Sequence, residues 1–206
     1  MYIPPPIHLY KAGMMQRIVV AFVDCADGFP FPVTKSRLEA FRSCAASFVS
    51  VKIASMPVLD LGWRMLRPQA IKSRIEVLSF DIANAIMEIS RQRNGAIDSY
   101  EEFCIIMAKI SLEVTEAMPL SEPISNWDDR SEYSYLSKRK HGPEIEKHEM
   151  EELEANRRQI SCGLIKYIGQ LNLTNDLRIE LDDIASALEA TYREHLNRMG
   201  SIVFAR

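Results

Sequence analysis

Most of the features that announce a function are missing from this chain. No apolar run approaches the roughly eighteen residues that a membrane helix needs. The opening Met1 to Tyr10 carries three consecutive prolines where a signal peptide would carry a basic start and an apolar middle. A membrane partner is therefore not expected. Glycine is sparse, eight in 206 residues, and none of the eight stands in a phosphate-cradling loop or an internal repeat. Cys25, Cys44, Cys104 and Cys162 are scattered, and three of these four fall in helical apolar patterns, where a buried, reduced thiol is the usual state. That spacing excludes a disulfide scaffold and predicts an intracellular setting, the cytoplasm of a cell.

An excess of one charge is lacking too. Twenty-five basic against 28 acidic residues leave a net charge of −3, so the molecule as a whole is not a polycation that wraps nucleic acid. Catalytic constellations are weak. His141, Glu144 and His148 can be drawn as metal ligands, but Gly142-Pro143 sets His141 outside the helix that follows, and the helix dipole accounts for an acid in its first turn. Asp128-Asp129 lies in a polar stretch that promises no burial to tune a carboxylate. No serine or cysteine has a nucleophile-elbow setting. The expectation is a non-enzymatic protein that needs no cofactor and no metal.

What is present is helical periodicity. With 47% hydrophobic and 26% charged residues the chain can bury a substantial core. From Pro68 to Arg93, Ile71, Ile75, Leu78, Ile82, Ile86 and Ile89 recur at spacings of three and four, which aligns them on one face of an α-helix with Ile82 near its centre. From Asp98 to Ala117, Phe103, Ile106, Ile110, Val114 and Ala117 repeat the pattern, and Ile105 and Leu112 widen it. Asn94-Gly95 is the stop between the two, which predicts an antiparallel hairpin. Its apolar faces are broader than one hairpin covers, so a homodimer through these helices is expected.

The fold class expected is mainly α, helical hairpins or a bundle with a short β-rich N-terminal segment. That segment spans residues 1–33: Ile7 to Tyr10 and Arg17 to Val23 are rich in β-branched and aromatic residues and flank Lys11-Ala12-Gly13, the pattern of a small hairpin. Phe29-Pro30-Phe31-Pro32 then breaks it, with the aromatics available to pack over the helical body or to dock on a partner. Residues 34–117 form a helical core domain of four helices: one capped by Thr34, one opening at Pro57, one at Pro68, and one after Asp98 and Glu101 in capping-box spacing. Residues 118–142 turn to Pro, Ser, Asn and Asp, a connector and the expected domain boundary. Residues 143–206 form a second helical hairpin. Its first helix opens at Pro143 and carries Leu153, Ile160, Leu164 and Ile168. The second is capped by Thr174, carries Leu177, Leu181, Ile184, Leu188, Tyr192 and Leu196, and closes at Gly200.

Counting charge by region is more informative than the total. Between Thr34 and Arg93 ten basic residues stand against five acidic ones, an excess of five positive charges in an otherwise acidic chain. Arg64, Arg67, Lys72 and Arg74 straddle Pro68, where phosphate would feel both the side-chain charge and the positive end of a helix dipole. Arg91 and Arg93 extend the set, and Lys138-Arg139-Lys140 is a second cluster with the composition of an RNA contact or a nuclear import signal. Solvated helix faces carry the same residues, so charge alone leaves both readings open.

Tyr2-Ile3-Pro4, then Gly13, Arg17-Ile18-Val19-Val20 and Asp27-Gly28, resemble the start of the small non-structural proteins of phleboviruses. Met118-Pro119-Leu120-Ser121-Glu122-Pro123 stands where that family has a tryptophan, proline, leucine, glycine, any residue, proline motif, with Met118 replacing the tryptophan and Ser121 the glycine. The helix ending near Leu171, the break at Asn172-Leu173-Thr174 and the Leu181 to Leu196 helix follow the family's order. In length the chain is closer to the related tenuivirus proteins. The resemblance implies a viral non-structural antagonist of host antiviral defence, acting in the host cell as a suppressor of RNA silencing that binds small double-stranded RNA. Shape readout of an A-form duplex asks for phosphate and 2′-hydroxyl contacts rather than base contacts, which Arg and Lys on rigid helices supply. The alternative it implies is an interaction module that holds a host defence protein through the Pro/aromatic segment or the connector.

Overall fold

The structure, a computed structural model, describes residues 7–34, 36–37, 40, 68–93, 95–116 and 143–204. Among these residues the protein is mainly α-helical. Five helices, α1 (Ile7–Ala26), α2 (Pro68–Gln92), α3 (Tyr100–Glu116), α4 (Pro143–Gly169) and α5 (Asn175–Phe204), are joined by one small sheet of β1 (Val33–Thr34) and β2 (Ala96–Ile97). The helices expected over 34–55 and 57–66 and the connector at 118–142 lie outside the described residues, apart from a few positions near Ser36.

The N-terminal segment corrects the sequence reading. Residues expected to form a β-hairpin are α1, with Gly13 inside the helix rather than at a turn. The physical reason lies in burial over most of the helix surface: Met14, Ile18, Val19, Ala21, Phe22 and Val23 are all in the core, and the uninterrupted apolar run Ile18 to Val23 has no period to separate helix from strand. Packing then overrides the β propensity of Ile18, Val19, Val20 and Val23 and the conformational cost of a helical glycine. The chain leaves α1 through a turn in which the Phe29 N–H donates to the Ala26 carbonyl at 2.9 Å, with Gly28 at φ 104°. The only β-structure among the described residues comes later, where Val33 pairs with Ile97 and Thr34 with Ala96, antiparallel.

The α2 helix opens on Pro68 as the sequence predicts, and Ile75, Leu78, Ile82, Ile86 and Ile89 are all buried along it. It ends where Gly95, at φ 76°, donates its N–H to the Ser90 carbonyl at 2.8 Å. The cap of α3 sits one residue later than expected. Ser99 Oγ accepts the Glu102 N–H at 3.1 Å, and Glu102 Oε2 reaches back to the Asp98 N–H at 2.7 Å, so Ser99 and Glu102 take the roles read for Asp98 and Glu101.

At the centre lies α3. Phe103 to Ala108 are buried without interruption, the mark of a helix surrounded on every side. It packs most extensively on α1 and α5 and also touches α2 and α4. One hydrophobic cluster joins all five helices, so those before and after the 118–142 segment share a single core. The breadth of the α2 and α3 stripes is thus covered from within the chain by α1, α4 and α5, which removes the reason for expecting a second subunit there. Phe31 lies edge-on to Tyr100 and tilted against Phe103, each at 6.3 Å between ring centres, so this aromatic packs over the helical body.

The turn of the C-terminal hairpin forms at 170–174, where Thr174 Oγ1 accepts the Leu177 N–H at 3.4 Å and caps α5. Gly200 does not end α5, which runs on to Phe204. Its buried stripe is Leu181, Ile184, Leu188, Tyr192 and His195, with Leu196 exposed instead. On α4 the buried stripe is Glu154, Arg157, Ser161, Leu164 and Ile168, rotated from the expected line through Ile160 and half polar. No described helix is long and apolar enough to cross a membrane.

Candidate functional site

Two groups of residues bear on function: the basic residues singled out from the sequence, and a buried polar cluster that was not. Arg64, Arg67, Lys138, Arg139 and Lys140 lie outside the described residues. Lys72 and Arg74 fall within the first two turns of α2, where the description stops at the backbone. That first turn contains no acidic residue. The positively polarised end of α2 is thus not neutralised by a carboxylate of its own.

Arg91 and Arg93 are described in full, and both are engaged. Arg91 Nη1 meets Glu88 Oε2 at 3.1 Å one turn back, on an open helix face. Arg93 is held more firmly, between Glu180 of α5 and, at 3.6 Å, Glu102 of α3, with all three side chains half-buried. Its backbone N–H closes the last turn of α2 on Ile89 and Ser90, so the cation also sits at the negative end of that helix dipole. Arg93 is a clamp between three helices, not a free phosphate ligand. Of the RNA-site residues read from the sequence, Arg93 is thus engaged within the fold, and Arg91 is a surface cation paired with Glu88. Elsewhere Arg158 makes a two-pronged contact with Glu189 at 2.7 and 2.9 Å, and Arg198 pairs with Glu194.

The cluster that the sequence did not reveal bridges α1, α3, α4 and α5. Gln16 Nε2 donates to Thr115 Oγ1 at 3.0 Å and to the Tyr192 hydroxyl at 2.8 Å. That hydroxyl lies 2.9 Å from Ser161 Oγ, which is 3.2 Å from Ser111 Oγ, and Thr115 Oγ1 donates to the Ser111 carbonyl at 2.8 Å. Next to this chain Arg157 Nη1 meets Glu154 Oε2 at 2.8 Å, and His195 Nδ1 stands 3.6 Å from Glu154 Oε1. Arg157 is 0% exposed. The signal available in the sequence was phase: Glu154, Arg157, Ser161, Leu164 and Ile168 hold one three-four spacing, and continuing the Leu164 and Ile168 face backwards places the charges inside.

A third feature lies beside the Phe31 contact. The Tyr100 hydroxyl donates to the Val23 carbonyl at 3.3 Å and lies 3.0 Å from the Tyr167 hydroxyl. Burial, and then the bond to Tyr167, push the Tyr100 phenol well above its ordinary range. Burial likewise pushes the Cys104 thiol up to about 12, so it is an inert packing group at neutral pH. Among the described residues no three of His, Cys, Asp and Glu gather as metal ligands; Glu144 and His148 fall on α4, and His141 lies outside the described residues.

Fold and surface together define a mainly α-helical protein whose five described helices share one core. No protein-family model, curated protein or solved structure matches the chain.

Proposed function

We propose that the protein is a viral non-structural antagonist of host antiviral defence that sequesters short double-stranded RNA, thereby suppressing RNA silencing. The observation that supports RNA binding is the start of α2 at Pro68, with no acid in its first turn and with Lys72 and Arg74 in its first two turns. In sequence Arg64 and Arg67 immediately precede this start. A helix N-terminus among four cations attracts phosphate oxygens without reading bases. Arg91 and Arg93 are each paired with a glutamate, so the reading rests first on Arg64, Arg67, Lys72 and Arg74, with Lys138-Arg139-Lys140 as a separate candidate. The α2 and α3 stripes are covered by helices of the same chain, so the RNA reading does not rest on a homodimer through them.

The test is a gel shift on a short RNA duplex with single strand as control. Replacing Arg67, Lys72 and Arg74 together by alanine should weaken duplex binding equally across sequences and flatten the dependence of affinity on salt. A triple variant that stays helical and binds as the parent does would move the site to Lys138-Arg139-Lys140. Absence of binding by the parent at low salt would end the RNA reading.

One observation favours the second reading, an antagonist that holds a host defence protein. Arg91, Arg93, Arg158 and Arg198 are each matched by a glutamate, so these helix faces carry compensated charge rather than a positive stripe. In that case Phe31 of the Pro/aromatic segment contributes little, since it packs against Tyr100 and Phe103, while Pro30 and Pro32 stand exposed.

A further inference from the structure

Buried polarity in the C-terminal hairpin is confined to one end of it. Beside the turn at 170–174 the buried residues are Leu164 and Ile168 on α4 and Leu181, Ile184 and Leu188 on α5. At the far end they are Glu154, Arg157 and Ser161 on α4 and Tyr192 and His195 on α5. Arg157 spends Nη1 on Glu154, and its guanidinium carbon lies 5.9 Å from the centre of the Tyr192 ring. Its Nε and Nη2 find no acceptor among the described residues. These two N–H groups form the side-on fork with which arginine takes both oxygens of a carboxylate, or two waters. Glu154 Oε1 and His195 Nδ1 also make no hydrogen bond.

Keeping a guanidinium and a carboxylate buried costs more than keeping leucine and isoleucine buried, so hydration on opening returns more at this end of the hairpin. At the turn end the balance is the reverse, because opening there would hydrate leucine and isoleucine. We infer that the far end of the hairpin, residues 154–161 of α4 with 192–198 of α5, unlatches reversibly as a unit while the turn end stays docked. The far end is a flap on the helical body, and its opening hydrates Arg157 and uncovers Gln16 of α1 and Thr115 of α3. Neither segment is a helix terminus, since α4 begins at Pro143 and α5 continues to Phe204, so this is distinct from fraying of the last turn.

Hydrogen exchange of the full chain, read by mass spectrometry at neutral pH, tests this directly. Amides in 154–161 and 192–198 should exchange at least about tenfold faster than those in 164–169 and 181–188 of the same helices. Replacing the charges with apolar groups of similar length, Glu154→Leu with Arg157→Met, should bring the far end to within about threefold of the turn end and leave the turn end unchanged. Equal protection of both ends in the parent overturns the inference, as does a double variant whose far end exchanges faster, which would make the cluster a latch. Should the double variant not fold, Ser161→Cys gives a second reading, with the native buried Cys104 of α3 as the internal standard. The new thiol should be labelled at least about tenfold faster than Cys104, and equal rates refute the flap.

Discussion

Substituting Ile82 with alanine probes the packing on which everything else rests. Ile82 is 0% exposed and lies one turn from Leu78 and one from Ile86, both buried, on the face of α2 that meets α1 and α3. Ile82→Ala removes three carbon groups, about 2.4 kcal/mol at roughly 0.8 kcal/mol each. If about 40 Å³ of the space stays open, a cavity term of about 24 cal/mol per Å³ adds about 1 kcal/mol. The total is about 3.4 kcal/mol, within the roughly 2 to 5 kcal/mol typical of large-to-small core changes. In urea, with a denaturant slope of about 2.5 kcal/mol/M for a chain of this size, the midpoint should fall by about 1.4 M with the slope unchanged. Val77→Ala is the control on the same helix, because Val77 is 57% exposed and its loss should stay within about 0.5 kcal/mol. If Ile82→Ala also stays within that limit, the buried face of α2 is wrongly assigned and the shared core with it.

Three further outcomes follow from named contacts. Arg93→Ala leaves Glu180 and Glu102 Oε1 without their cation and should cost about 1 to 2 kcal/mol by urea titration, whereas Arg91→Ala, on an exposed pair, should cost less than about 0.5 kcal/mol; equal effects would deny Arg93 its role as a clamp. Cys104 keeps its proton in the folded state up to about 12, while an ordinary thiol loses it near 9, so the unfolded chain gains on the folded one as pH rises through that window. The parent should therefore lose more stability between pH 9 and about 10.5 than Cys104→Ala does, and a constant difference between the two would show that the thiol is not buried as described. Ser99→Ala removes the acceptor for the Glu102 N–H and should destabilise by about 1 kcal/mol, while Glu101→Ala, at the position the sequence suggested, should not.

The elements that were legible in the sequence are those whose signals are local. Pro68, Pro143, Thr174 and Gly95 act through their own backbone or the next few residues, and each stands where a helix starts or stops. The α1 helix was illegible because its apolar run is buried over most of its surface, and an uninterrupted apolar run has no phase to read. The engagement of Arg93 was illegible for a different reason. Its partner Glu180 is 87 residues away, so a count of charges along the chain treats as free a cation that tertiary structure has already neutralised. The Arg157 cluster combines both obstacles: its residues look like a solvated helix face one by one, and only the pairing of α4 with α5 and α1 turns that face inward.

That inward turn has a consequence for how the helices find their register. Apolar stripes alone tolerate sliding, since leucine and isoleucine pack against one another in several alignments. Moving α5 by one turn against α4 would set Arg157 beside Leu188 and Glu154 beside Tyr192, taking the Tyr192 ring from Arg157 and His195 from Glu154, and would part the Tyr192 hydroxyl from Gln16 and Ser161. Each such loss leaves a buried polar group unsatisfied, at about 1 to 3 kcal/mol apiece. The cluster therefore disfavours the slipped alignments more than it stabilises the observed one. Polar groups used in this way specify an arrangement while holding it loosely, which is why one end of the hairpin can be both the most specific part of its packing and the first part to open.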